Sequence, residues 1–133
     1  MTKPKNATTP TLIEQKDPEE TIGIIQGTIP GSKNEWYVAM ALDKLKIEYQ
    51  YQVGIDGGKN VRGGQVIDFV AYLPQPTPIF VQGEYWHNQK TETEDLLKFA
   101  AAENVYKRSP ILLMGDETDT KDKAFQVVRD RVK

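Results

Sequence analysis

The chain has 133 residues, of which 38% are hydrophobic and 27% are charged, so it can form one domain with one core but not a multidomain protein. It has no cysteine and one histidine, which excludes disulfides, a thiol nucleophile and cysteine-built or histidine-rich zinc sites. Any metal must therefore be held mainly by carboxylates. The formal charge of −2 predicts no avid non-specific binding of DNA.

Hydropathy bears on where the protein is expected to reside. No run approaches the roughly 20 apolar residues of a membrane span, and the stretch from Met1 to Asn6 lacks the apolar region of a secretory signal. We therefore expect a cytoplasmic protein, or a virion-associated one if a phage encodes it, with no membrane partner.

The first part of the chain differs in composition from the rest. Residues 1–21 are predicted to form an extended arm, because Thr, Pro, Lys, Asn and Glu dominate and only Leu12 and Ile13 offer apolar bulk. We expect a partner to hold this arm, either a larger protein assembly or a second copy in a homodimer. Residues 22–133 are predicted to form a single α/β domain, in which residues 22–25 can add a short strand.

The domain begins with a predicted helix. Ser32 and Glu35 have the spacing of a capping box. Apolar residues then recur at helical intervals from Val38 to Leu45, so a helix is predicted over residues 33–46.

Three strands are predicted next, at residues 47–53, 65–72 and 79–81. A glycine-rich connection separates the first two, and a proline-enforced turn separates the second and third. These short links predict an antiparallel meander. The third strand is wholly apolar, which predicts a central strand buried on both faces.

A second capping box, at Thr91 and Glu94, predicts a helix that ends near Glu103. Four of its residues are predicted to face the core: Leu96, Leu97, Phe99 and Ala100. A strand at 110–114 and a helix at 119–132 follow. The resulting order is αβββαβ with a C-terminal helix, and the helical crossover to the fourth strand predicts a parallel pair, hence a mixed sheet.

Asp68 is the first candidate functional residue. It shares one face of its predicted strand with Val66, Val70 and Tyr72, so a carboxylate projects from an apolar row. A half-buried acid is costly unless it is paired or bound to a cation. The sequence leaves open a metal-binding carboxylate, an ion pair with Lys or Arg, or an aspartate at a solvated strand end.

Two further residues are candidates by position. Glu35 lies on the inward face of the first predicted helix and could reach the end of the sheet, although its role in the capping box would also explain it. His87, the only histidine, follows the buried third strand. Histidine suits proton transfer near neutral pH, although a lone histidine beside aromatic residues is more often packed or exposed.

The segment from Ile67 to Phe69 and the segment from Ile79 to His87 together resemble the very-short-patch-repair endonuclease branch of the PD-(D/E)xK nucleases. The resemblance rests on an Asp-Phe strand and on Gly83 and Trp86 at the spacing typical of that branch. It implies an α/β fold with a restriction-endonuclease-like core. It also implies DNA as substrate and Mg²⁺, or Mn²⁺, as cofactor.

The resemblance also implies roles for individual residues. Asp68 corresponds to the metal-binding aspartate, Val81 to the residue whose backbone carbonyl binds the metal, and Glu35 to the acid of the first helix. His87 corresponds to the histidine beside the scissile phosphate. Gln82 stands where most of the superfamily has the motif lysine, so water activation would fall to the metal or to His87.

The glycine-rich loop at residues 57–64 carries Lys59 and Arg62, which are predicted to contact DNA phosphates, unless the loop is only a flexible connection. The sequence thus predicts a metal-dependent DNA endonuclease of a repair, nicking or junction type. Mismatch repair itself is disfavoured, because the repair enzymes carry a cysteine-containing zinc site. The alternative is a non-catalytic component of a larger assembly, such as a phage particle or nucleoprotein complex, that keeps the nuclease-like fold and is tethered by its arm.

Overall fold

The computed structural model of the chain describes residues 22–55, 65–82 and 89–132. Within residues 89–132, side chains are described from residue 94 onward. The predicted arm at residues 1–21 lies outside this description. Across the described ranges, no helix is both long enough and apolar enough to cross a membrane.

The first helix, α1, spans Lys33–Lys44. Its predicted N-cap is confirmed, because the Ser32 hydroxyl accepts a hydrogen bond from the Glu35 N–H at 3.1 Å. The helix ends slightly before the predicted boundary, since Lys46 adopts a left-handed backbone with φ of 61°.

Four strands form one sheet in the order in which they occur in the chain. They are β1 (Tyr49–Ile55), β2 (Gln65–Tyr72), β3 (Pro76–Gln82) and β4 (Ile111–Met114). The first three are antiparallel and β4 is parallel to β3, which confirms the predicted mixed sheet. β3 is buried along five consecutive residues, as predicted for a central strand.

Helices cover both faces of this sheet. The remaining helices are α2 (Gln89–Tyr106) and α3 (Lys121–Arg131), and a short 3₁₀ turn (Gly115–Glu117) precedes α3. α1 and α3 pack together over the face that carries Phe69 and Ile79. α2 covers the opposite face, on which Val70 and Phe80 contact Ala102. The chain therefore has the predicted α/β order and C-terminal helix.

The predicted orientation of α2 is wrong. The helix begins at Gln89, before Thr91, and three of its four supposed core residues, Leu96, Leu97 and Ala100, are exposed. The Phe99 ring lies 4.8 Å from the Phe80 ring. This aromatic contact rotates the helix so that Phe99 and Ala102 face the sheet, which turns the two leucines outward.

The segment before α1 forms a tight turn instead of a strand that joins the sheet. Ile25 and Thr28 exchange two backbone hydrogen bonds of 2.9 Å, and the intervening Gln26 and Gly27 both have positive φ. The Gln26 side-chain amide then pairs with the free edge of β1. It donates to the Tyr49 carbonyl at 2.6 Å and accepts from the Tyr51 N–H at 2.9 Å.

Candidate active site

A pocket of 560 Å³ surrounds the carboxyl group of Asp68, between the sheet and the first half of α2. We call it the Asp68 pocket. Its described lining residues are Gln52, Gln65, Val66, Asp68, Glu94, Asp95 and Lys98. It thus brings together acidic, amide and basic side chains from β1, β2 and α2, which are separated widely in the chain.

The orientation of Asp68 is fixed by the backbone of β3. The paired residues of β2 and β3 end at Phe69 and Ile79, so the Val81 N–H lies beyond the ladder. It donates instead to Oδ2 of Asp68 at 2.8 Å. From the part of the chain that the structure describes, no group donates to the other carboxylate oxygen. Asp68 can therefore offer that oxygen to a ligand without giving up its own anchor.

The pKa of Asp68 is raised from 3.8 to about 6, chiefly because burial disfavours the charged carboxylate. The negative charges of Glu35 and Asp95 raise the pKa further. The hydrogen bond from Val81 and the positive charge of Lys98 lower it. A carboxyl group that lies in a pocket and whose pKa is shifted by burial and by nearby charges is characteristic of functional sites.

Gln52 distorts β1 directly opposite Asp68. The neighbouring pairs, Tyr51 with Phe69 and Val53 with Ile67, are formed, but no pair joins Gln52 to Asp68. Gln52 has a left-handed backbone with φ of 58°, a conformation unfavourable for a residue with a side chain. Its amide nitrogen lies 3.4 Å from the Tyr51 hydroxyl. Backbone strain of this kind is concentrated at ligand-binding and catalytic positions.

Glu35 is bound within the fold and does not line the Asp68 pocket. The Tyr51 hydroxyl donates to one of its carboxylate oxygens, and the Ser32 hydroxyl lies 3.3 Å from the other. Burial, and then this hydrogen bond to Glu35, raise the pKa of Tyr51. Glu35 therefore connects the start of α1 to β1, and it acts on Asp68 through its charge.

The other predicted site residues are placed as follows. Val81 approaches Asp68 through its N–H, and Gln82 ends β3 half-buried, paired with Met114 of β4. Neither residue lines the Asp68 pocket. His87, Lys59 and Arg62 lie outside the described residues.

Lys98 is a candidate residue that the sequence analysis missed. It lines the pocket, its charge stabilises ionised Asp68, and its ammonium group lies 5.6 Å from the Phe80 ring centre. The inward face predicted for α2 placed Lys98 on the solvent side of the helix. Lys98 precedes the buried Ala102 by four residues, so both lie on the side of α2 that packs on the sheet, and only the packing of the helix shows which side that is.

The donor atoms of the pocket suit a hard divalent cation. Carboxylate and amide oxygens, here from Asp68, Asp95 and Gln52, are ligands that Mg²⁺ and Mn²⁺ accept. Among the described side chains, no three histidine or acidic groups are close enough together to hold a metal ion by themselves. Mg²⁺ usually binds one or two carboxylates together with waters and substrate oxygens, so the pocket fits an ion that shares its ligands with substrate.

Comparison of the chain with protein-family models, with curated proteins and with solved structures found no match. The Asp68 pocket and the order of the elements around it are therefore the features that bear on function.

Proposed function

We propose that this chain is a metal-dependent DNA endonuclease, of a repair, nicking or junction type, with a restriction-endonuclease-like core and the Asp68 pocket as its active site. The observation that carries the proposal is a recessed carboxylate, anchored by the Val81 N–H where β2 and β3 separate, with Lys98 in the same pocket. The αβββαβ order and the mixed sheet are consistent with that core.

Each residue of the pocket would have its own role in phosphodiester hydrolysis. Asp68, supported by Asp95, would hold Mg²⁺ or Mn²⁺, which supplies Lewis acidity and lowers the pKa of an attacking water. Lys98 is positioned to pair with a phosphate oxygen and so stabilise charge that develops during hydrolysis. The Val81 N–H keeps the Asp68 carboxylate in place.

One predicted role, that of Glu35, enters this proposal in adjusted form. To bind a metal, Glu35 would have to leave Tyr51 and Ser32, so we assign it a positioning role in which it holds β1 beside Asp68. The predicted proton-transfer role of His87 is retained as part of the proposal. The same holds for phosphate binding by Lys59 and Arg62.

A specific observation also favours the second candidate, a non-catalytic component of a larger assembly. Three of the four charged side chains that line the described pocket are acidic: Asp68, Glu94 and Asp95. Such a pocket repels a phosphate unless a cation is present. DNA cleavage that requires a divalent cation would therefore support the nuclease, and no cleavage with a cation would support the assembly component.

The test is cleavage of supercoiled, branched and mismatched DNA by the purified chain with Mg²⁺, with Mn²⁺ and with EDTA. We expect cleavage with metal only. Asp68→Asn should abolish it, because the amide keeps the shape but loses the charge that holds the cation. Lys98→Met should slow it by about 10²-fold, in line with the loss of one charge-stabilising group, and His87→Ala by about 10²–10⁴-fold.

Lys123→Met is the matched control for Lys98→Met, because Lys123 is an exposed lysine on α3 that pairs with Asp119. It should cleave at the wild-type rate. If Asp68→Asn cleaves as fast as the wild type, the active site does not depend on Asp68. No cleavage of any of these DNAs with either metal would favour the assembly function.

A further inference from the structure

A series of hydrogen bonds links the start of α1 to the Asp68 pocket. The hydroxyl of Tyr51, a residue that is only 6% exposed, donates to the carboxylate of Glu35. The same hydroxyl oxygen accepts from the Gly31 N–H at 3.1 Å and from the side-chain amide of Gln52 at 3.4 Å. Gln52 in turn lines the pocket together with Asp68. The series therefore begins at a carboxylate held within the fold and ends at a residue of the pocket.

The direction of each hydrogen bond follows from the hydroxyl of Tyr51. A phenol has one proton, and this proton is donated to Glu35, whose ionised carboxylate can only accept. The oxygen of Tyr51 can therefore only accept from Gln52, so the part of the amide that faces it is the NH₂ group. The carbonyl oxygen of the same amide is then the acceptor that Gln52 can offer to the pocket.

The left-handed backbone of Gln52 makes this contact possible. Tyr51 and Gln52 are adjacent in β1, and adjacent side chains of a regular strand point to opposite faces of the sheet. The φ of 58° at Gln52 interrupts that alternation, so its amide reaches the hydroxyl of Tyr51. The backbone strain at Gln52 thus accompanies a specific orientation of its side chain.

An amide oxygen held next to a carboxylate is a suitable ligand for a hard divalent cation. Given the proposed nuclease function, on which this inference rests, we propose that the amide oxygen of Gln52 binds the cation beside Asp68. Tyr51 and Glu35 are positioning residues, because they keep that oxygen turned toward the pocket. Without the hydroxyl of Tyr51, the amide can rotate and present its NH₂ group, which cannot bind a cation.

Binding of Mn²⁺ to the full chain without DNA tests this proposal separately from cleavage. Electron paramagnetic resonance measures the Mn²⁺ that remains unbound. We expect Tyr51→Phe to weaken Mn²⁺ binding about 10–100-fold, as is typical when a metal ligand loses the group that orients it. Gln52→Leu should weaken binding at least as much. The double variant should bind like Gln52→Leu alone, because Tyr51 acts through Gln52.

Tyr49→Phe is the matched control for Tyr51→Phe. Tyr49 lies on the same strand, and its ring also packs against the Phe69 ring. Its hydroxyl interacts with Asp43 instead, and neither residue lines the Asp68 pocket. Tyr49→Phe should therefore bind Mn²⁺ like the wild type.

The orientation of the amide can be measured in the absence of metal. The side-chain ¹H–¹⁵N resonances of Gln52 should shift in Tyr51→Phe, which removes the acceptor of its NH₂ group, and should stay in place in Tyr49→Phe. Equal spectra of Tyr51→Phe and the wild type would overturn the positioning role of Tyr51.

Asp68→Asn separates this inference from the proposed function. If Asp68→Asn loses Mn²⁺ binding but Gln52→Leu keeps it, the cation site stands and the role of Gln52 is overturned. Additive losses in Tyr51→Phe and Gln52→Leu would overturn the positioning role, since Tyr51 would then act independently of Gln52. A wild type that binds no Mn²⁺ would overturn both the cation site and the role of Gln52.

Discussion

At the scale of single residues, Asp68 combines a raised pKa with a fixed orientation. Its carboxylate loses solvation in the Asp68 pocket, and one hydrogen bond from Val81 does not compensate, so the pKa stays at about 6. A group of this kind lowers stability when it is charged. That cost is expected where selection has acted on function at the expense of stability.

Asp68→Asn should therefore stabilise the protein above neutral pH. Because the folded-state pKa of about 6 exceeds the ordinary value of 3.8, the folded state binds more protons between these two values, and wild-type stability falls as the pH rises through that window. Asparagine stays neutral and can still accept from the Val81 N–H. Urea unfolding should show a gain of about 2 kcal/mol near pH 8 and little difference near pH 4.

Asp130→Asn is the control for this measurement, because Asp130 is an exposed aspartate on α3. It should change the free energy of unfolding by less than about 0.5 kcal/mol at either pH. A loss of stability in Asp68→Asn near pH 8 would contradict a raised pKa of Asp68.

Gln52 provides a second prediction at this scale. Gln52→Gly should raise the free energy of unfolding by about 0.5–1 kcal/mol, because glycine adopts the left-handed conformation without a Cβ penalty. Val53→Gly, at the next position of β1, should lower the free energy of unfolding by more than that, because Val53 has no left-handed backbone to relieve and its side chain packs against the core that contains Ile67. Chemical denaturation of both variants measures the difference. Equal destabilisation by both would mean that Gln52 is not strained.

At the scale of elements, the exposed edge of β1 is closed by a side chain. Gln26 supplies one donor and one acceptor to Tyr49 and Tyr51, as a neighbouring strand would. Edge strands with free backbone groups tend to pair with other chains, so this contact protects the sheet. It depends on the turn that precedes α1, which brings Gln26 beside β1.

Gln26→Ala should lower the free energy of unfolding by about 1–2 kcal/mol, since it leaves two backbone groups of β1 without partners. It should also increase aggregation, which light scattering during storage would detect. Gln50→Ala, an exposed glutamine on the same strand, is the matched control and should have little effect on either measurement. If both variants aggregate equally, the edge is not protected by Gln26.

The orientation of α2 shows why an element can be predicted while its buried face is not. The sequence offers apolar residues on more than one side of this helix, with Leu96 and Leu97 on one side and Phe99 with Ala102 on another. The choice between them is made by the ring of Phe80 on β3, which contacts Phe99 on the face of the sheet that α2 covers. Local periodicity contains no information about that contact.

At the scale of the whole molecule, the chain combines a small net negative charge with an α/β fold in which helices cover both faces of the sheet. The net charge is −2, so the surface as a whole does not attract DNA strongly. The sheet holds Asp68 between helices on its two faces: α1, whose Glu35 raises the pKa of Asp68, and α2, whose Lys98 lowers it.

The sequence by itself determined the kinds, order and approximate ends of the elements, because capping, alternation and turn residues act over a few neighbouring positions. Ser32 as N-cap, the buried β3 and the mixed sheet were predictable in this way. It also identified Asp68 as an unusual carboxylate on an apolar strand face.

Only the tertiary structure decided the partners of these residues. Each of these residues meets a partner from another segment of the chain. Glu35 accepts from Tyr51, Asp68 accepts from the Val81 N–H and lies near the charge of Lys98, and the edge of β1 pairs with Gln26. Such contacts depend on how the sheet twists and on which helix face packs against it. These are properties of the packed core as a whole, and no local pattern specifies them.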